Sequence, residues 1–174
     1  MKMYILTALA VSAILGTSAL AQTAGTRTAK RLTADTMFIA KAAEGGMAEV
    51  ELGRLAQQRG SNEAVKTFGK RMETDHTKIN DDLKTIAESK NVTWPTALNA
   101  RDQATMDRLS NLSGAEFDRA YMADMVRDHR ADVAEFRRQA DHATDPDVKN
   151  FAAKYLPTLQ DHLRMAEDTQ KQLK

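Results

Sequence analysis

The sequence predicts an all-α protein: four long helices packed side by side, with one long connection between the second and the third. Three observations predict it. Beyond residue 35, apolar residues recur at spacings of 3 and 4, not at the alternation of a half-buried strand. Ala is frequent and β-branched runs are few, which favours helix. Start and stop signals divide the pattern into a few long segments. The 174 residues, 42% hydrophobic and 28% charged, suit one domain with a substantial core.

Ahead of the helices, Lys2 precedes an apolar run from Met3 to Leu15, and Ala19-Leu20-Ala21 has the small-x-small form that signal peptidase reads. The pattern predicts a signal peptide over 1–21, cut after Ala21. A loose polar arm over 22–34 and a helical domain over 35–173 follow. No later run approaches the length of a membrane span. The expectation is an exported protein, most simply periplasmic, with no stable membrane insertion after cleavage.

The first helix begins near Thr33 or Asp35, with Asp35 as an N-cap, and ends at Gly60, a residue suited to a left-handed C-terminal position. The second starts after Ser61 and runs to about Ser89. So short a turn makes these two antiparallel neighbours. The third opens with a capping box, Ser113-Gly114-Ala115-Glu116, and runs to about Ala140. The fourth opens with Asp145 as N-cap and Pro146 at its first position, and reaches about Leu173. Pro157 interrupts it, removes a hydrogen bond to Ala153 and predicts a kink.

The connection from Lys90 to Leu112 is different. It contains Trp94-Pro95, and Thr96 to Ser110 can add a short extra helix. Helices of about 26 residues are about 40 Å long, and this segment can cross that length. The second and third helices then run parallel, which is the ferritin-like topology. Trp94 is expected to pin the crossover to the bundle.

Three histidines lie on the apolar stripes. His76 sits among Val65, Phe68, Met72, Ile79 and Leu83; His129 among Met122, Met125, Val133 and Phe136; His162 among Tyr155, Leu159 and Ala166. The midpoint of a helix stays at mid-bundle whichever way the chain runs. These helices centre near residues 76, 128 and 160, so the histidines fall within about 3 Å along the axis. The first helix has no His, but Glu49 interrupts its stripe near the centre. A lone carboxylate there is costly to bury unpaired. Three imidazoles and one carboxylate suit a divalent transition metal: zinc, iron, manganese or copper. The predicted ligands are Glu49, His76, His129 and His162, with Glu73, Glu44, Glu51 and Asp128 as secondary candidates. Asp75, Asp128 and Asp161 each precede a site histidine and either orient a histidine, pair across the bundle or face solvent. His142 is placed past the end of the third helix, exposed.

Several classes are excluded. With no Cys there are no disulfides, thiolate metal sites or Cys nucleophiles. A formal charge of +1 gives no basic excess for nucleic acid. No Gly-rich phosphate loop, nucleophile elbow or metalloprotease helix motif is present.

Four segments carry a resemblance. They are Ala48 to Ala56, Phe68-Gly69-Lys70-Arg71-Met72-Glu73-Thr74-Asp75-His76, Phe117 to Tyr121 with Asp128-His129, and Leu156-Pro157-Thr158-Leu159-Gln160-Asp161-His162-Leu163. In this order, over about Asp35 to Lys171, the chain resembles the bacterial domain of unknown function 4142 family, placed among ferritin-like four-helix proteins. The resemblance implies an exported bundle and no activity. Ferritin-like di-iron sites carry two Glu-x-x-His motifs. Glu73 to His76 supplies one, while Val126 and Leu159 stand where the other Glu is needed, which favours one metal over two.

The leading reading is therefore a periplasmic carrier, buffer or sensor of one divalent ion. A metal-dependent oxidoreductase, with Tyr121 and Tyr155 nearby, is an alternative. Met72, Met125 and Met165, each one turn from a site histidine, suit a copper variant. A metal-free envelope or stress protein with a structural His–Glu network remains a fourth reading. Catalytic residues and protein partners are not named by any motif.

Overall fold

The computed structural model describes residues 33–173. The expected signal peptide, its cut after Ala21 and most of the polar arm lie outside the described residues. Within them are five helices and no strand: α1 (Ala34–Arg59), α2 (Glu63–Ser89), α3 (Ala100–Ser110), α4 (Gly114–His142) and α5 (Pro146–Gln172). No helix among the described residues is long and apolar enough to cross a membrane.

Local signals set most of the ends. Asp145 caps α5 by accepting from the Asp147 and Val148 amides, with Pro146 opening the helix, as expected. Asn62 caps α2 through the Ala64 amide at 2.8 Å. Three expectations need correction. The α1 N-cap is Thr33, which accepts from the Thr36 amide, while Asp35 is buried in the first turn and serves a distant loop. Gly60 is not left-handed (φ −59°). Glycine suits this position because a Cβ there would lie 2.7 Å from the Ala56 carbonyl oxygen. The capping box does not form, since Ser113 makes no side-chain cap bond and the chain enters α4 through Gly114 at φ +59°. One bound also moves, since α4 runs on to His142, an exposed residue of its last turn rather than a loop residue, and α5 continues through Pro157 without a break.

Helices α1 and α2 form one hairpin and α4 and α5 another, and the hairpins pack α2 on α5 and α1 on α4. Two buried aspartates fix the directions. Asp118, near the start of α4, accepts from the Ser61 and Asn62 amides at 3.0 and 2.9 Å and from the Ser61 hydroxyl at 2.5 Å. Asp35, at the start of α1, accepts from the Thr144 hydroxyl at 2.5 Å and the Asp145 amide at 2.9 Å. Each carboxylate thus holds the turn of the other hairpin, and α1 runs antiparallel to α4. It follows that α2 and α4 run the same way. The connection between them travels the length of the helices, through α3 packed on α1 and α4. Trp94 packs, half-buried, against the core, as expected.

The core is divided. One apolar cluster holds Phe38, Ile79, Phe136 and Phe151, and the other holds Phe68, Met72, Phe117, Tyr121 and Met125. Between them, on every long helix, lies a polar residue: Glu49, His76, His129 and His162.

Candidate metal centre

Each histidine is delivered by the helical period. His76 follows Met72 by four residues on the buried face of α2, His129 follows Met125 on α4, and His162 precedes Ala166 on α5. They are 4%, 0% and 0% exposed. One ligand nitrogen from each can be chosen so that all three lie within 4.8 Å of one another. The ring centroids are 5.4 to 5.8 Å apart. With metal–nitrogen bonds of about 2.0–2.1 Å in a tetrahedral site, ligand nitrogens sit about 3.3 Å apart, so inward shifts under about 1 Å suffice.

The hydrogen bonds leave at least one nitrogen of each ring free. His129 Nδ1 lies 3.0 Å from the Met125 carbonyl oxygen and therefore donates to it, which makes Nε2 a bare acceptor. His162 Nε2 bonds Asp75 Oδ2 at 2.8 Å, which leaves Nδ1 bare. Both bare nitrogens are buried without a partner, and so are both nitrogens of His76. Protein-fixed tautomers with the opposite nitrogen open are what metal-binding histidines need. Burial holds all three rings neutral: His76 lies well below its usual range, further depressed by its two neighbours, His129 is lowered, and His162 is pulled down to about 4 despite Asp75.

Glu49 is buried beside this group but is not among the mutually close atoms. Its Oε1 is 3.9 Å from His129 Nδ1, beyond hydrogen-bond range, and its Oε2 has no partner. Burial pushes it up to about 8, and the charges of Asp128, Asp102 and Asp124 add to the shift. The secondary candidates lie elsewhere. Glu73 is engaged by Arg54, Gln57 and Lys70, which hold it down to about 2, so the Glu-x-x-His spacing does not bring its carboxylate to the histidines. Glu51 pairs with Arg54, Glu44 accepts from Asn99, and Asp128 pairs with Arg127 and Arg101. Tyr121 is buried with an unpartnered hydroxyl, whereas Tyr155 donates to Asp82 at 2.5 Å. Met72 and Met125 are fully buried next to the histidine layer.

Of the three Asp-His pairs, one crosses the bundle. Asp75 orients His162 of another helix rather than its own neighbour His76, while Asp161 pairs with Arg164. The repeated Asp-His dipeptide was the available signal. Adjacent helical residues point about 100° apart, so an Asp beside an inward His can reach the next helix.

No curated protein and no solved structure shows a significant match to the chain. The family model of the domain of unknown function DUF4142 matches residues 18–169, most of the chain, and the protein belongs to that family.

Proposed function

We propose that the protein is an exported, periplasmic, ferritin-like four-helix bundle that holds one divalent transition metal between its hairpins. His76, His129 and His162 are the ligands, and the role is that of a carrier or buffer. The observation that carries this reading is the set of buried ring nitrogens without partners, on three rings whose ligand atoms approach within 4.8 Å, two of them with their opposite nitrogens already bonded to protein. A structural His–Glu network would instead spend those atoms on each other. Parallel α2 and α4 joined by a full-length crossover support the ferritin-like arrangement. Neutral imidazoles without thiolates suit zinc, copper, iron or manganese. Glu49 lies behind His129, where its carboxylate would offset part of the added positive charge. A metal bound here would be available as a Lewis acid, and the cavity that reaches His76 favours a metal-dependent oxidoreductase as the second reading.

The test is to express the full chain in a bacterial host, recover it from the periplasmic extract without an affinity tag, and measure bound metals by mass spectrometry. Expected are Gln22 as the first residue and about one metal per chain, lost in His76→Ala, His129→Ala and His162→Ala. Two irons per chain would favour the oxidoreductase. No metal, even after reconstitution, would sink both.

A further inference from the structure

His76 differs from the other two histidines. Neither of its nitrogens is held by protein, and it lines a cavity of about 240 Å³ between α1 and α4, together with Phe38, Gly45, Gly46, Asp132 and Phe136. A second cavity of about 410 Å³ adjoins the first, shares Lys41, Gly45, Ala131 and Asp132 with it, and extends to α3. Its lining carries Glu44, Glu49, Asp102, Asp128 and Asp132 against the cations Lys41 and Arg101. Glu49, 5% exposed, is one of these lining residues, and its buried Oε2 has no partner. Glu49 in the second cavity and His76 in the first thus both carry unspent lone pairs. The wall beside them has no side chain at Gly45, where an added Cβ would meet nothing within 4 Å. At Gly46, by contrast, a Cβ would lie 2.1 Å from Asn80 Oδ1.

We propose that this α1–α3–α4 cleft is the entry route of a hydrated divalent cation, and that His76 receives the ion before His129 and His162 close on it. The proposal rests on the metal-binding reading above. The acidic side chains lining the second cavity outnumber the cations, and a cleft with an excess of one sign of charge concentrates counter-ions and speeds their arrival. A hydrated ion must be offered new ligands as it sheds water, and the carboxylates followed by His76 supply them in order. His129 and His162 are held in place by Met125 and Asp75, so they are fixed receivers. The cavity between α2 and α5, by contrast, has no histidine in its lining.

The test uses cobalt(II) chloride added to the metal-stripped protein, with visible absorption followed in a stopped-flow instrument. Gly45→Leu fills the open space without touching a ligand and is expected to slow uptake at least tenfold. Refolding this variant from urea in the presence of cobalt(II) bypasses the route and is expected to give full loading. Asp132→Asn is expected to slow uptake a few-fold and to weaken its dependence on salt. Equal uptake rates in the wild type and Gly45→Leu overturn the route and leave the metal site standing. A Leu variant that stays empty after refolding with cobalt(II) points to altered affinity and also overturns the route. No cobalt uptake by the wild type under either protocol overturns the metal site, and the route with it.

Discussion

Asp118 and Glu49 are both buried carboxylates, 1% and 5% exposed, and the fold treats them in opposite ways. Asp118 accepts three hydrogen bonds from the α1–α2 turn, and Asp35 repeats the arrangement on the α4–α5 turn at the other end. Midway between them, Glu49 Oε2, both nitrogens of His76, His129 Nε2 and His162 Nδ1 have no partner. A buried polar group with its bonds complete holds a structure together. One kept with an open lone pair lowers stability, and its retention calls for a use outside folding.

The largest break in this comparison is expected at the clamps. Asp118→Ala strands two amides and a hydroxyl, and should cost about 3 kcal/mol in urea unfolding at pH 7 while leaving metal content unchanged. A loss below about 1 kcal/mol would erase the distinction between clamp and centre.

The next effect comes from pH in the metal-stripped protein. The folded pKa of Glu49, about 8, lies above its unfolded value of 4.5. The folded state therefore keeps a proton that the unfolded state has released, and stability falls as pH rises from 4.5 to 8. His162 acts the other way: with its pKa lowered from 6.5 to about 4, stability falls as pH drops through that window. His76 and His129, also lowered by burial, act with His162 against Glu49 below about 6.5, and above it Glu49 leads, joined by Asp132, which burial raises to about 7. Unfolding free energy should drop by about 2 kcal/mol or a little more between pH 6.5 and 8, and Glu49→Gln should remove most of the drop, leaving the smaller part that Asp132 contributes. Parallel slopes in the two proteins would mean that Glu49 is not held protonated.

Smaller still is His76→Leu. Replacing an unpaired buried ring by an apolar side chain should raise the stability of the stripped protein by about 1 kcal/mol while ending metal binding. A decrease of more than about 2 kcal/mol would move His76 into the same class as Asp118. The finest measurement is proton release on metal addition at pH 7. The imidazoles are already neutral, so the release of about one proton per ion would come from Glu49, and Glu49→Gln should release none.

The histidine layer was legible because it depends on one helix at a time. The 3–4 spacing puts His76, His129 and His162 on core faces, and helix midpoints set their level without knowledge of direction. The clamps were not legible. Asp35 and Asp118 act on residues 109 and 57 positions away, and nothing local marks such partners. Glu73 shows the opposite error: its spacing to His76 satisfies a motif, but Arg54 and Gln57 of α1 capture its carboxylate. Ser113 likewise has the right neighbours for a capping box, and the left-handed turn at Gly114 takes its hydroxyl out of play.

The layer also lies across a seam. Glu49 and His76 belong to one hairpin, His129 and His162 to the other, and packing is denser within each hairpin than between them. Under the proposed function the ion is a rivet through two pages that hinge at the crossover. Drawing it out leaves the pages held by the Asp35 and Asp118 clamps and by apolar packing, and where these yield, the open pages of two chains can close on each other. Chelation would in that case convert monomer into exchanged dimer, and metal would reverse it. Size-exclusion chromatography reads this directly, and a chain that stays monomeric at high concentration in chelator would show that the seam holds without its rivet.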